Sequence, residues 1–185
     1  MRQVHVKSKL AAVLLPFHYN NDGTMSVSLI RRTPGGAHGG QLAFPGGKYE
    51  HTDSSLLETA LRESEEEVGL HHSALSHVHS LNPIHTIHTG YIIHPFAGLL
   101  RTKPKHWQIQ TSEVEEVLTV CLDELLDNHD SHYVNNPQFD TVGHFPCFRV
   151  AGHPLWGASY RMIRPLLAAY RRQELIFDAA FGGSD

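Results

Sequence analysis

Three glutamates, Glu63, Glu66 and Glu67, stand close together in a segment with helical character. Glu66 and Glu67 follow Glu63 at three and four residues, so on a helix they share one edge, where like charges repel by about 0.2–0.5 kcal/mol per pair. Hard divalent cations prefer oxygen ligands, and a bound cation offsets this repulsion. Most glutamates, however, simply lie at the surface. The spacing therefore leaves two interpretations open, a metal site or a solvated acidic face.

Residues around the glutamates favour the metal site. Arg62 stands one turn before Glu66, placed to hold that carboxylate by a charge-assisted hydrogen bond. Gly46 and Gly47 form a tight turn upstream, where the backbone can come close to a ligand.

A helix is predicted to carry the glutamates. Ser55 and Glu58 form a capping box at its start, and Gly69 is the residue type that commonly follows a helix end. The residues that fall between them on one stripe about 100° wide can face a core; they are Leu57, Ala60, Leu61, Ser64 and Val68.

Short apolar or alternating runs predict strands on both sides of this helix. The predicted strands are residues 10–15, 25–30, 75–81, 91–100, 116–122 and 144–150, followed or interrupted by helices at 123–126 and 158–172. Pro165 must kink the last helix or mark its true start. The glycine-rich segment 33–40 and the polar segment 128–141 are predicted loops. One α/β domain over residues 1–185 is the economical interpretation.

Composition excludes several classes of protein. The chain of 185 residues is 41% hydrophobic, enough for a domain with a core. A formal net charge of −4 argues against nucleic acid or an anionic membrane as the main partner. Cys121 and Cys147 are too few for a disulfide framework, and neither a membrane-length apolar run nor a signal-peptide core occurs. The predicted compartment is therefore the cytoplasm.

Residues 62–70, reading RESEEEVGL, resemble the second half of the Nudix box, the signature of Nudix hydrolases. Ser64 replaces an apolar residue of the pattern. Gly47 lies fifteen residues before Arg62, one more than in the common box. Ser54 stands where the box has its first glutamate, and Asp53 is the nearest acidic substitute. The half of the box that carries the metal ligands is intact.

The resemblance extends upstream to the coenzyme A diphosphatase branch of the family. Residues 29–33 and 38–47, reading LIRRT and HGGQLAFPGG, resemble its signature, in which Arg32 and Gly40 match and Gly36 stands where an arginine is expected. Segments 90–98, 113–126 and 155–159 resemble later parts of the same branch. The likeness covers roughly residues 8–170.

This resemblance implies an α/β/α sandwich with a mixed β-sheet, and hydrolysis of the diphosphate of coenzyme A to 3′,5′-ADP and 4′-phosphopantetheine with Mg²⁺ or Mn²⁺. Carried over by position, the metal ligands and catalytic carboxylates are Glu63, Glu66, Glu67 and Glu116, with the Gly47 carbonyl as a further metal ligand and Glu113 as the second choice for the fourth carboxylate. One of these carboxylates takes the proton of the attacking water. Substrate-binding candidates are Arg32, His38 and Gly46, and Arg62 supports the ligands.

Two alternatives remain. One is a Nudix hydrolase of ADP-ribose, NADH or another nucleoside diphosphate derivative. The other is a non-catalytic nucleotide-sensing module, against which stand the three glutamates and the lack of a helix-turn-helix segment after Arg172. The expected partner is a small molecule, and a homodimer stays open. Basic residues 101–106 with Trp107 are either a site for a 3′-phosphate and an adenine or a solvated loop.

Overall fold

A mixed β-sheet forms the centre of the structure, a computed structural model that describes residues 9–35, 38–86, 89–136 and 141–174. Its strands are β1 (Lys9–Tyr19), β2 (Met25–Arg32), β3 (Leu42–Ala43), β4 (Gly46–Lys48), β5 (Leu75–Ser80), β6 (Ile84–His85), β7 (Tyr91–Leu100) and β8 (Val114–Cys121). β1 runs parallel to β7 and antiparallel to β2 and β4, so it is the central strand. The other pairs join β2 to β3 and β8, and β7 to β5 and β6, all antiparallel. A strand covered on both faces is expected to be almost continuously apolar, as β1 is.

Helix α1 (Leu56–Val68) covers one face of the sheet. The Ser55 hydroxyl accepts a hydrogen bond from the Glu58 backbone N–H, and the helix ends at Gly69 with φ of 70°. The Glu58 carboxylate, however, accepts from Ser54 and not from the Ser55 backbone, so only half of the predicted capping box forms. Ala60 and Val68 of the helix belong to the same apolar cluster as residues of β1 and β2.

Helices α2 (Leu122–Asp127) and α3 (Gly157–Arg171) cover the opposite face. Buried residues from both helices and from β1 and β2 form the larger core cluster, which includes Leu15, Phe17, Leu125, Ile163 and Leu167. A mixed sheet with helices on both faces confirms the predicted α/β/α architecture.

A second, antiparallel sheet follows α2. It consists of β9 (His129–Asn136), β10 (Thr141–Val150) and β11 (His153–Leu155), with β10 in the middle. The prediction of a loop over 128–141 is therefore wrong for residues 129–136, while residues 137–140 lie outside the described part. The segment is polar, and its strand exists because β10 satisfies its backbone hydrogen bonds.

Several element boundaries also differ from expectation. β1 continues through Pro16 to Tyr19 instead of ending at residue 15. β8 begins at Val114 and ends at Cys121, because Leu122 already belongs to α2. Pro165 lies inside α3, so it does not mark the start of that helix. Among the described residues, none of the helices combines the length and the apolar character needed to cross a membrane.

Candidate active site

Gly46 and Gly47 lie in strand β4, so the prediction that they form a tight turn is wrong. The segment 44–47, which we call the glycine turn, is held against the central strand β1. Gly46 has φ of 146°, a conformation that favours glycine, and a Cβ there would collide with the Ala12 carbonyl oxygen and the Val13 Cα of β1. The Leu14 N–H donates to the Pro45 carbonyl at 2.9 Å. This part of the chain can follow β1 so closely only because position 46 carries no side chain.

Glu67 joins the helix to this turn. Its side chain is only 3% exposed, and Oε2 accepts a hydrogen bond of 2.8 Å from the Gly46 N–H. Burial raises the pKa of Glu67 to about 7, although the Gly46 hydrogen bond and the charge of Arg32 act in the opposite direction. The nearest guanidinium nitrogen of Arg32 lies 4.0 Å from Oε1. Glu67 is thus a buried carboxylate whose negative charge is incompletely balanced.

Glu63 lies directly over Gly47. A Cβ at position 47 would overlap the Glu63 carboxyl group, so this glycine leaves room for the carboxylate. Burial raises the pKa of Glu63, and the charges of Glu66 and Glu113 add to the effect, while Arg62 opposes it. The mutual repulsion predicted from the spacing is therefore present in the structure.

Arg62 holds two of the three glutamates. Its terminal nitrogens lie 3.2 Å from Glu63 Oε1 and 3.2 Å from Glu66 Oε2, and one of them donates to the Lys48 carbonyl. Its Nε donates to Asp53 Oδ1 at 2.9 Å. The guanidinium thus connects the helix edge with the turn, including the ion pair to Glu66 that the sequence predicts.

Asp53 holds the guanidinium of Arg62 in place. The carboxylate is buried and also accepts from the Thr59 hydroxyl at 2.8 Å and from the Glu50 N–H at 3.0 Å. The Arg62 guanidinium, followed by these other donors, holds the pKa of Asp53 well below its usual range. The acid nearest to the missing box glutamate therefore fixes Arg62 in place.

Glu116, the first choice for a fourth carboxylate, lies apart from the box glutamates. Glu116 accepts from Arg31 Nε at 2.6 Å, and Glu115 contacts the same guanidinium at 2.7 Å. Arg31 and Arg32 are neighbours on β2 and point to opposite faces of the sheet. Since Arg32 lies on the side of Glu67, Glu116 is turned away from the three box glutamates.

Glu113, the second choice for a fourth carboxylate, lies on the same side of the sheet as Glu67. Its carbonyl accepts from the Thr33 N–H at 3.0 Å, one residue beyond Arg32. The loop before it is tied to the end of α1, since the Gln110 N–H donates to the Glu67 carbonyl at 2.9 Å. Its negative charge raises the pKa of both Glu63 and Glu67.

A register shift between β2 and β8, which the sequence does not reveal, explains why Glu116 lies apart from the box glutamates. Arg31 pairs with Glu116 and Arg32 with Val114, so Glu115 is one residue extra in β8. The bulge turns Glu115 and Glu116 towards Arg31.

Two other candidates lie at the edge of this group. Arg32 is hydrogen-bonded through its backbone to Gly40 and Gln41, at 3.0 and 3.1 Å. His38 is exposed, and its Nδ1 lies 3.3 Å from Gln41 Oε1. The structure therefore brings Arg32 to the glutamates and places His38 beside Gln41.

The glutamates fit a divalent cation by charge and by atom type. Three carboxylates and the turn at Gly47 supply only oxygen ligands, and the raised pKa values of Glu63 and Glu67 show that positive charge is favoured there. In the described ranges, no three His, Cys, Asp or Glu side chains are arranged as ligands of one ion. In this structure Arg62 contacts one oxygen of Glu63 and one of Glu66, and the Gly46 N–H contacts one oxygen of Glu67.

The chain is similar in sequence and in fold to known proteins. The chain matches the NUDIX domain model over residues 9–139. It is 32% identical to the uncharacterized Nudix hydrolase NudL of Photorhabdus laumondii, over 84% of this chain and 82% of that protein. A MutT/nudix family protein from Enterococcus faecalis has a similar fold, with a TM-score of 0.60 and 18% identity over 96% of this chain and 66% of that one.

These matches define the class as a hydrolase, and the chain belongs to the Nudix family. It is a Nudix hydrolase of nucleoside diphosphate derivatives, a class of enzymes that generally uses divalent metal ions. A further relative is the mitochondrial coenzyme A diphosphatase NUDT8 of Homo sapiens, 33% identical over 66% of this chain. The match spans 52% of that protein's length.

Proposed function

We propose that the chain hydrolyses the diphosphate bond of coenzyme A or its derivatives, giving 3′,5′-ADP and 4′-phosphopantetheine. The choice of coenzyme A rests on the likeness of residues 29–33 and 38–47 to the coenzyme A diphosphatase branch, and the contact between Arg32 and Glu67 joins this upstream segment to the box. Arg32 belongs to the upstream segment that resembles the coenzyme A diphosphatase branch, and Glu67 belongs to the box. Similarity to a human protein named as a coenzyme A diphosphatase supports the same substrate class.

Glu63, Glu66, Glu67 and the Gly47 carbonyl would hold Mg²⁺ or Mn²⁺, and Glu113 is the next acidic group in reach. When bound, the cation would neutralise diphosphate oxygens and activate a water molecule. Arg62, fixed by Asp53, positions the carboxylates of Glu63 and Glu66.

Arg32 would bind the diphosphate itself. Its side chain is 34% exposed, so donors remain available to a substrate oxygen while the side chain stays next to Glu67. Placed there, it serves every diphosphate substrate and does not select for the 3′-phosphate.

The test compares coenzyme A with dephospho-coenzyme A and ADP-ribose, using release of the adenine nucleotide as the readout. We expect kcat/KM for coenzyme A to exceed the other two by about tenfold or more, because a site built for the 3′-phosphate leaves donors unpaired without it. Equal or better turnover of ADP-ribose would support the alternative, a hydrolase of ADP-ribose, NADH or another nucleoside diphosphate derivative. The glycine at position 36, in place of the expected arginine, would then indicate this different specificity.

Two arginine variants test the role of Arg32. We expect Arg32→Ala to lower kcat/KM for all three substrates alike. Arg31→Ala is the matched control, because its guanidinium contacts Glu115 and Glu116 on the other face of the sheet. An equal loss in both variants would show that the effect is not specific to the site.

A further inference from the structure

A cleft of 330 Å³ lies between the glycine-rich loop and the second sheet. This size is at the lower end of the roughly 300–1,000 Å³ of small-molecule sites. One side is formed by the loop and the other by β9 and the segment after β11; the lining residues used below are Gly39, Gly40, Gln41, His132 and Trp156.

Trp156 forms a fixed wall of the cleft. Its indole is half-buried, with the rings of His132 and Phe145 each at 5.8 Å between centroids and tilted to it. His132 and Phe145 are direct partners in the register of β9 and β10, so both side chains lie on the same face of the small sheet. A tryptophan held from two sides offers a rigid flat surface.

The chemistry of the cleft suits a neutral, flat, hydrogen-bonding group. None of its described lining residues is Lys, Arg, Asp or Glu. Burial, followed by the charge of Arg149, lowers the pKa of His132, which favours the neutral ring. Gln41 adds an amide, the side chain type that pairs with the edge of a purine. A phosphate would find no countercharge in such a cleft, whereas a nucleobase would find a stacking surface and an amide.

The cleft is connected to the glutamates through Arg32. Gly40 and Gln41 are hydrogen-bonded to the backbone of Arg32, and the side chain of Arg32 reaches Glu67. One arginine side chain therefore separates the cleft from the box. In a nucleoside diphosphate, one ribose separates the base from the diphosphate.

We propose that this cleft binds the nucleobase of the substrate, with Trp156 as the stacking surface and Gln41 as a hydrogen-bonding residue. The inference rests on the proposed diphosphate hydrolysis for its orientation, and it applies to any substrate with an adenine. His38 positions Gln41 through the contact between Nδ1 and Oε1.

The chain contains two tryptophans, Trp107 and Trp156, so single replacements isolate each of them. Trp107 is half-buried and packs against the cluster around α1. In the Trp107→Phe protein we expect AMP to quench the remaining fluorescence, whereas ribose 5-phosphate, which lacks the base, leaves it unchanged. In the Trp156→Phe protein AMP is expected to cause no change.

Other patterns overturn the proposal. Quenching by AMP only in the Trp156→Phe protein would place the base at Trp107. A response of Trp156 to 4′-phosphopantetheine but not to AMP would assign the cleft to the other half of coenzyme A.

Kinetics provide an independent measurement. Trp156→Ala is expected to raise KM for coenzyme A roughly tenfold with kcat little changed, as for loss of one stacked base, and Trp156→Phe to restore most of the affinity. A lower kcat at unchanged KM, without rescue by phenylalanine, would indicate a structural role for Trp156 and contradict the proposal.

The two proposals fail separately. If AMP quenches Trp156 but no diphosphate is hydrolysed, the base site stands and the proposed function falls. If coenzyme A is hydrolysed while AMP leaves Trp156 fluorescence unchanged, the proposed function stands and the base site falls.

Discussion

Glu67 is buried, yet it belongs to the most acidic part of the chain. Its carboxylate is fixed by the Gly46 N–H, so the residue cannot reach water to lower the cost of its charge. Burial without full compensation explains why its pKa is raised to about 7 from an ordinary value of 4.5. A residue of this kind costs stability in exchange for a fixed position in the site.

Replacing Glu67 by glutamine is expected to stabilise the protein and abolish activity. Because the folded pKa is raised, the protonated form contributes stability below pH 4.5, and this contribution is lost as the pH rises through about 7. Glutamine removes the charge and keeps an acceptor for Gly46. At pH 8 in chelator, we expect the free energy of unfolding of Glu67→Gln to exceed that of the wild type by at most about 3 kcal/mol. At pH 4.5 we expect the two proteins to have nearly the same free energy of unfolding.

Urea unfolding at the two pH values measures this effect, and turnover with Mg²⁺ measures the loss of activity, expected to be several orders of magnitude. Glu65→Gln is the control, since Glu65 is exposed on the same helix and pairs with His71. Turnover close to that of the wild type in Glu67→Gln would remove Glu67 from the metal site.

His18 is a second buried group that costs stability. It is 1% exposed, and neither ring nitrogen has a hydrogen-bond partner among the described residues. Burial lowers its pKa, and the charge of Lys103 adds to this effect. Unsatisfied buried groups of this type cost about 1–3 kcal/mol.

We therefore expect His18→Leu to increase the free energy of unfolding by about 1–3 kcal/mol at pH 7. Since the folded pKa is depressed, wild-type stability is highest above the ordinary value of 6.5 and falls as the pH drops towards the folded pKa. The difference between the variant and the wild type is thus expected to grow below pH 6.5. His77→Leu, at an exposed position on β5, serves as the control; a destabilised His18→Leu protein would mean that the ring is hydrogen-bonded.

At the scale of elements, the two glycines of β4 have different tasks. A Cβ at position 46 would clash with the backbone of β1. A Cβ at position 47 would clash only with the carboxyl end of the flexible Glu63 side chain. The backbone of β1 cannot move aside as easily as the Glu63 side chain can. Gly46 is therefore expected to matter for the stability of the sheet, and Gly47 for the position of the Glu63 carboxylate.

Alanine substitutions are expected to reveal this difference. Gly46→Ala forces a positive φ and a clash with β1, so we expect a loss of about 2 kcal/mol or more in unfolding experiments. Gly47→Ala is expected to keep most of the stability but to lower kcat, because Glu63 is displaced. Equal stability losses in both variants would contradict the assignment.

The elements with local signals could be predicted from the sequence. Helix α1 has its N-cap at Ser55, its left-handed end at Gly69 and an apolar stripe between them, and all three are readable within one segment. The glutamates and Arg62 were found for the same reason.

Features that depend on distant pairing could not be predicted. The residues of β9 are mostly polar, and the segment is a strand because its backbone pairs with β10. The position of Glu116 beside Arg31 depends on a bulge between β2 and β8, for which a sequence motif gives no signal. Trp156 was recognised as part of a motif, but its cleft is lined by three segments that are far apart in the chain, at residues 39–41, 132–135 and 154–156.

For the whole molecule, metal binding is expected to be visible as thermal stability. A ligand that binds only the folded state at about 100 times its Kd adds about 2.7 kcal/mol, or about 5–10 °C in Tm for a chain of this size. We expect Mg²⁺ to produce such a shift in the wild type and little shift in Glu67→Gln. EDTA is expected to remove both the shift and the activity; full activity in excess EDTA would disprove the metal requirement.

The pairing of β4 with β1 also bears on the entropy that is lost when the enzyme binds its substrate. Hydrogen bonds from the Leu14 N–H to Pro45 and from the Tyr49 N–H to Leu10 enclose the glycine turn at both ends. A turn that is already a strand of the sheet loses no conformational entropy when a ligand arrives. We therefore expect the Leu14 and Tyr49 amides of the free protein to exchange with deuterium as slowly as the core of β1, and not at the rate of a surface loop.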